Sequence, residues 1–392
     1  MSARGFSMLE LLVAIAIVSS ILASSLTLMS SFQTAFERES ERADMEQRLR
    51  AATEAVHRDL IAAGTGGSRR SWDGPLDFFI ASVLPFRQGA QSADPPGTFK
   101  TDTLTVIYVP QTTSPQTTIR EAIQAAPGAV SVDLRAGCPQ GDAACGFAAG
   151  MDVMVYDATA SFDTFKIESV QGNVLQLRHE MSDTTQVYAP GANIVEIVSH
   201  TYYLKADRAA GTSQLMRYDG SGSDAVLVDH VVGLTFQYYG DPNPPSLIRS
   251  TTDPVGPWTT YGPKPPPIDQ QPTLYPAGEN CAFVAEASGL GRTPRLSALG
   301  SGPAGTLVSL TDRQLTDGPW CPDDANPHRF DADLLRIRKV SVTLRVESAV
   351  SELRGPAGPL FTRGGTSRTV SRWLPDQEVR FEVSPRNLNH SR

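Results

Sequence analysis

Between Leu11 and Phe36 the chain runs for 26 residues without a single charge. As a helix, that run extends about 39 Å at roughly 1.5 Å per residue. A hydrocarbon core about 30 Å thick needs only about 20 such residues. The polar interruptions are Ser and Thr hydroxyls and Gln33, and hydroxyls can bond back to helix carbonyls. The run therefore predicts a single membrane-spanning helix. A buried core helix would explain the apolar residues, but not so long a charge-free run at the start of the chain. A cleaved secretory signal is a closer rival, with its small-residue site around Ala23-Ser24-Ser25. In either case Arg4 and the initiator amine favour the cytoplasmic side, with the rest of the chain exported.

An ordinary anchor does not explain Glu10. A carboxylate just inside an apolar run is costly unless paired or protonated, which marks it as a functional candidate. The plain reading is that it reaches the headgroup region.

Gly5-Phe6-Ser7-Met8-Leu9-Glu10-Leu11, followed by the long apolar helix, resembles the class III signal of type IV pilins and type II secretion pseudopilins. The resemblance implies that a membrane prepilin peptidase/methyltransferase cuts after Gly5 on the cytoplasmic side and methylates Phe6. Glu10 then becomes the fifth mature residue, the family's position for subunit registration. In a bundle of apolar helices its carboxylate can pair with the Phe6 amine of a neighbouring subunit. Neither charge is tolerated alone in hydrocarbon, so wrong axial registration is penalised. One departure is that Ser24 to Met29 lacks the mid-helix proline of many major pilins.

From Glu37 to Asp59 the chain turns polar, with seven acidic and five basic residues and neither Pro nor Gly. Met45, Leu49, Ala52, Val56 and Leu60 recur at helical spacing on one face. Gly64, Gly66 and Gly67 end the pattern. One helix from Phe6 to about Ile61 is predicted, membrane-embedded at first and amphipathic later. His57 lies beside the apolar face and reads as a surface or packed histidine.

Strand signals dominate after the helix. Candidates are 103–109, 129–134, 151–157, 164–170, 173–177, 194–204, 214–218, 225–227, 233–239, 334–346 and 378–383, with a small one at 306–310. Gln171-Gly172-Asn173 reads as a tight hairpin. The stretch Asp241 to Pro276 holds 11 prolines in 36 residues, which argues against central strands. It reads as the start of a surface insertion.

The predicted fold class is α+β, a long N-terminal transmembrane and stalk helix carrying a β-rich pilin-like head with a Pro-rich insertion. The predicted boundaries are a leader at 1–5, a transmembrane helix at 6–36 and its amphipathic continuation at 37–63. The head follows at 64–240 and 331–392, split by the insertion at 241–330. Within the head, Leu227 to Tyr239, Leu334 to Leu344 and Phe381 to Leu388 are similar to segments of large minor pilins of the PilW type.

All four cysteines, Cys138, Cys145, Cys281 and Cys321, follow the apolar run. An even count in an exported region supports two disulfides. Of the three connectivities, local pairing of Cys138 with Cys145 and Cys281 with Cys321 is the expectation. No CxxC pair supports a zinc site.

No active-site constellation emerges, so the chain is not expected to be an enzyme, to hold a metal or to need a cofactor. Gly64-Thr65-Gly66-Gly67 lacks the spacing and lysine of a phosphate loop. His179-Glu180 lacks the second histidine of a zinc protease helix. Gly141-Asp142 and Asp323-Asp324 read as solvated turns rather than calcium loops. A net charge of −8 disfavours a general grip on nucleic acid. Arg336, Arg338 and Lys339 with Arg363, Arg368 and Arg372 are a candidate positive surface, but no aromatic stacking pattern accompanies them. Salt-bridged strand edges are the ordinary reading of those charges.

The resemblance implies a minor pilin that primes type IV pilus assembly. Its implied partners are other minor pilins, the major pilin and the inner-membrane assembly machinery. It would sit in the bacterial inner membrane with a periplasmic head before joining the pilus or its tip complex. The alternatives are a type II secretion minor pseudopilin and a pilus-borne adhesin or ligand-binding module.

Overall fold

The computed structural model describes residues 7–66, 76, 80–89, 93–111, 113–123, 128–134, 138–157, 162–179, 187–207, 212–243, 247–249, 257–259, 283–285, 292–300, 305–321, 329–354 and 374–389. Helix α1 runs Met8–Ala62, 55 residues, about 82 Å at ~1.5 Å per residue. No proline or glycine interrupts it. It stops where Gly64 takes a left-handed backbone, φ 71°, the conformation a helix terminus most readily assigns to glycine. Of the predicted apolar face, Met45, Ala52, Val56 and Leu60 are fully buried, while Leu49 is only half-buried.

The chain divides into two compact units, 1–50 with 346–377, and 51–345 with 378–392. In the first unit, residues 347–354 lie against the polar part of α1 through paired charges. Glu41 Oε1 accepts from the Ala349 amide at 2.6 Å and from Arg48 Nη2 at 3.3 Å. Arg48 Nη1 donates to the Glu347 carbonyl, and Arg354 binds the Ser348 and Ala349 carbonyls and the Glu347 carboxylate. Glu41, Glu347 and Arg354 are all buried. Buried charges persist when each finds an opposite charge or a backbone dipole, as these do.

In the second unit the strands open with β1 (Val83–Leu84) and β2 (Thr103–Tyr108). Next come β3 (Gln116–Thr118), β4 (Ala129–Ser131), β5 (Asp152–Tyr156), β6 (Phe162–Gln171), β7 (Val174–His179) and β8 (Asn193–Glu196). These six form one antiparallel sheet in the order β3-β8-β5-β6-β7-β4. Its two ends meet. Ile119 bridges Val132, the Arg120 amide donates to the Ser131 carbonyl, and the Asp133 amide donates to the Thr118 carbonyl. The sheet thus closes into a small barrel, which leaves no exposed edge. Alternate residues fill its interior: Val153 and Val155, Phe165 and Ile167, Leu175 and Leu177. The period-two pattern of the sequence corresponds to this inward face.

The chain continues with β9 (Val198–Asp207), β10 (Thr212–Tyr218), β11 (Asp224–Asp229) and β12 (Val231–Gly240). A five-stranded sheet runs β1-β2-β9-β10-β11. Strands β2 and β9 pair from Thr103 opposite Tyr203 to Tyr108 opposite Val198. The chain therefore leaves this sheet at Tyr108, builds the barrel, and returns beside its exit. The expected single strand at 194–204 is two strands. It breaks at Ile197 because β8 pairs with β5 and β3 inside the barrel, while β9 pairs with β2 and β10.

Two short ribbons lie in the expected insertion, β13 (Leu247–Arg249) with β14 (Pro257–Thr259), and β15 (Phe283–Ala285) with β16 (Arg292–Pro294). Most of the expected insertion otherwise lies outside the described residues. Then follow β17 (Val308–Leu310), β18 (Trp320–Cys321), β19 (Phe330–Asp331), β20 (Ile337–Val346) and β21 (Gln377–Val383). A four-stranded sheet runs β17-β12-β20-β21, so β17 adds a strand from the expected insertion to the head's own sheet. Leu334 to Arg336, expected in the strand at 334–346, instead belong to a 3-10 turn at Ala332–Arg336. The Asp331 carboxylate caps that turn by accepting from the Asp333 amide. Gly240 is required where β12 meets this turn, since a Cβ there would lie 2.7 Å from the Arg336 carbonyl oxygen.

Candidate assembly site on the N-terminal helix

The described helix begins with a reciprocal cap. Ser7 Oγ accepts from the Leu9 amide at 3.3 Å, and Glu10 Oε2 accepts from the Ser7 amide at 3.0 Å. Ser7-Met8-Leu9-Glu10 thus has the capping-box pattern, with Glu10 reaching back to the Ser7 amide and the Ser7 hydroxyl taking the Leu9 amide. Sequence reasoning assigned Glu10 to registration and missed this second role. The signal for it was present, because Ser-x-x-Glu ahead of an apolar run is the capping-box pattern. A carboxylate has two oxygens and several lone-pair sites, so the cap leaves Glu10 able to accept a further donor.

Beyond the cap, Met8–Met29 is long and apolar enough to cross a membrane and none of it is buried. Leu9 is 70% exposed and Phe36, at the far end of the charge-free run, 76% exposed. Such a surface needs lipid or other apolar helices around it. The hydroxyls inside the run return to the backbone: Ser20 donates to the Ala16 carbonyl, Ser24 to Ser20 and Thr27 to Ala23, each at 2.8 Å. This relieves the cost of carrying polar groups in an apolar segment. Gly5 and Phe6 lie outside the described residues.

Near its other end the helix is tied to the five-stranded sheet through Asp59, which is 1% exposed. Asp59 Oδ2 lies 2.5 Å from His200 Nδ1 and accepts from Tyr202 Oη at 2.6 Å, while Oδ1 accepts from Tyr108 Oη at 3.2 Å. Tyr202 Oη also reaches the Ala55 carbonyl at 3.1 Å. Burial pushes the Asp59 pKa up, but hydrogen bonds from His200 and Tyr202, attraction to His200 and a bond from Tyr108 outweigh it, and the net shift is downward. The carboxylate is therefore charged at neutral pH and accepts only, so His200 Nδ1 carries the proton between them. Burial, and then the Asp59 charge, raise both tyrosine pKa values, keeping them as neutral donors. Asn387 Nδ2 closes the same end, donating to the Ala63 carbonyl and Thr65 Oγ1. None of Asp59, His200 and Tyr202 stood out in the sequence. Their partnership joins positions more than 140 apart in the chain, and no local spacing signals it.

The remaining sequence candidates are dispersed. Cys138 and Cys145 form a disulfide, with Cα atoms 4.5 Å apart. Cys321 is also disulfide-bonded, while Cys281, its expected partner, lies outside the described residues. Arg336 and Arg338 are 0% and 4% exposed, so they do not contribute to the positive surface considered above. Lys339 pairs with Glu382 at 2.8 Å across neighbouring strands. Arg363, Arg368 and Arg372 lie outside the described residues. His57 is exposed, its ring centroid 6.0 Å from that of Phe381. Asp142 caps its own turn, accepting from the Ala144 and Gly146 amides. Among the described residues no group of three or more His, Cys, Asp or Glu side chains is placed to hold a metal.

Residues 1–26 match the prokaryotic N-terminal methylation motif. The match covers the predicted cleavage site, Glu10 and most of the apolar run. It implies processing by a prepilin peptidase/methyltransferase. With the one such apolar helix among the described residues, it is consistent with single-pass membrane topology and with the pilin and pseudopilin superfamily in general. No curated protein and no solved structure matches the chain.

Proposed function

We propose that this protein is a minor pilin of the PilW type, which enters a type IV pilus through its N-terminal helix and helps to prime pilus assembly. The observation that carries the proposal is a processing motif leading directly into an uninterrupted 55-residue helix with an exposed apolar first part. After cleavage at Gly5 the helix remains, and Phe6 supplies a new amine four residues before Glu10. Pairing of that amine with Glu10 of a neighbour sets axial registry, because either charge alone is costly among apolar helices. Folded segments beyond the apolar part supply contacts to other minor pilins and the major pilin. The mechanism is noncovalent, and the protein acts as an assembly subunit rather than an enzyme.

The same motif and helix serve a minor pseudopilin of a type II secretion system, which is the second reading. Quantitative identification of the protein in purified pili, with cross-linked neighbours, tests the choice. Recovery with pilus subunits supports the first reading. Exclusive recovery with secretion pseudopilins overturns it in favour of the second. A mature product beginning beyond residue 20 would lack the apolar start of the helix and overturn both.

A further inference from the structure

The first amides of an α-helix have no carbonyl one turn earlier to bond, and whatever takes them decides where the helix begins. At α1 the Ser7 carbonyl accepts from the Leu11 amide at 3.1 Å. The Ser7 hydroxyl takes the Leu9 amide at 3.3 Å, and the Glu10 carboxylate takes the Ser7 amide at 3.0 Å. Ser7 is therefore the N-cap, and Met8 is the first helical residue.

The Leu9 amide matters because of the acceptor it is kept from. Were the helix to run one turn further back, each amide would bond the carbonyl four residues earlier. For Leu9 that carbonyl belongs to Gly5, the residue at which the processing motif is cut. For Ser7 it belongs to Ala3, inside the leader. Gly5 lies outside the described residues, and what bears on it is that the Ser7 hydroxyl already holds the Leu9 amide. The setting favours recapture once that hydroxyl is gone. The chain is charge-free from Leu11 to Phe36. Along such a run in a membrane water is scarce, and an amide without an acceptor is costly.

We infer that Ser7 is a positioning residue for leader removal, its hydroxyl holding the Leu9 amide so that the Gly5 carbonyl stays out of the helix and open to attack. The inference rests on the processing reading above. In that hydrolysis a water oxygen adds to the Gly5 carbonyl carbon and the bond to the Phe6 nitrogen breaks. A proton passes to that nitrogen, leaving the leader carboxylate and the Phe6 amine. A carbonyl bonded inside a helix points along the axis and is flanked by the next turn, so the turn must open before water can add. Ser7 acts through Leu9 and does not touch the reacting atoms. The Glu10 half of the cap takes a different amide, so the Ser7 hydroxyl keeps its hold on Leu9 independently of it.

Cleavage of the full-length precursor by its peptidase, timed in detergent micelles, tests the role in the wild type, Ser7→Ala, Ser7→Thr and Ser7→Asn. Alanine removes the acceptor and is the strongest helix former. Its rate should fall about fivefold, the factor that loss of a typical N-cap corresponds to. Threonine and asparagine also cap and should stay within about twofold of the wild type. The uncleaved precursors, labelled with 13C at glycine carbonyls and 15N at phenylalanine, report on the backbone itself. Only the Gly5-Phe6 and Gly146-Phe147 peptides carry both labels. The Gly5 signal should move towards the helical position in Ser7→Ala alone, while the Gly146 signal stays in place. Cleavage of Ser7→Ala at the wild-type rate overturns the inference. Slowed cleavage with an unmoved Gly5 signal also overturns it, because the peptidase then reads the hydroxyl directly, and so does equal slowing in all three variants. A wild-type precursor that is never cut between Gly5 and Phe6 overturns the processing reading, and the inference with it.

Discussion

Asp59 on α1 and His200 on β9 meet at 2.5 Å, a buried carboxylate on the helix facing a ring nitrogen on the sheet. With Tyr202 and Tyr108 completing the shell, the last turns of α1, within 51–62, are fixed in rotation and in axial position against β2 and β9. Apolar contacts at Val56 and Leu60 cannot do this alone, because they tolerate sliding by a fraction of a turn. Three directed donors converging on one carboxylate do not.

Replacement of Asp59 should therefore cost more than its small size suggests. Asp59→Asn retains the shape but places an amide donor among three donors and removes the charge. A loss of about 2 kcal/mol is expected from an imperfectly satisfied buried network, measured by denaturant unfolding. The acid limb carries a second signature. The folded pKa of Asp59 is depressed below 3.8, so its contribution is complete above the unfolded value and is lost as pH falls through the folded one. The wild type should lose this stability below about pH 4, and Asp59→Asn should show a correspondingly shallower acid limb.

The observed cap and the proposed registration role both fall on Glu10, and one pair of substitutions separates them. Glu10→Gln keeps an acceptor for the Ser7 amide, since glutamine also serves in a capping box, but abolishes the charge. Glu10→Ala abolishes both. If charge pairing with a neighbouring amine sets registry, both variants should be processed normally and both should fall at least tenfold in pilus incorporation, as measured by quantitative mass spectrometry. Wild-type incorporation of Glu10→Gln with failure of Glu10→Ala would place the function in the cap and sink the registration role.

The legible parts of the molecule were those governed by local periodicity. Helix α1 could be read because a charge-free run, a five-residue apolar stripe and a terminal glycine all act within a few turns. Most strand positions followed from alternation, and the Gly172 turn from its hairpin signal. Closure of the barrel was not legible. Ile119 meets Val132 through a single bridge and a few backbone bonds, and backbone pairing carries little side-chain signature. The division at Ile197 was hidden for a related reason: both strands flanking it are apolar, and only their partners differ. The burial of Arg336 among carbonyl groups was not legible, because a cluster of basic residues looks alike whether it faces solvent or carbonyl groups. The processing motif over residues 1–26 was legible because residue type and spacing coincide in sequence. The Asp59 shell was not, because its members meet only after folding.

Leu60 tests how far the helix depends on packing rather than on that polar shell. It is fully buried, one residue from Asp59. Leu60→Ala should cost about 2–5 kcal/mol, the transfer term plus the cavity it leaves. Since the substitution improves intrinsic helix propensity slightly, any loss measured by denaturant unfolding reports tertiary packing. A change under 1 kcal/mol would show that the polar shell alone holds this part of the helix.

The Cys138–Cys145 bridge should stabilise the barrel locally. It closes a short loop beside the barrel core, where Cys145 is 3% exposed and Cys138 packs against the same cluster. A loop of this length restricts the unfolded chain by about 2–3 kcal/mol on the chain-entropy account. Cys138→Ser with Cys145→Ser should therefore lower protection of the Val153, Val155 and Ile167 amides in hydrogen exchange. Amides of β9 beside the Asp59 shell, such as those of Thr201 and Tyr203, should change little. Equal loss in both regions would show that barrel and sheet unfold as one unit. Loss in neither would show that the bridge adds nothing to the closed barrel's own pairing.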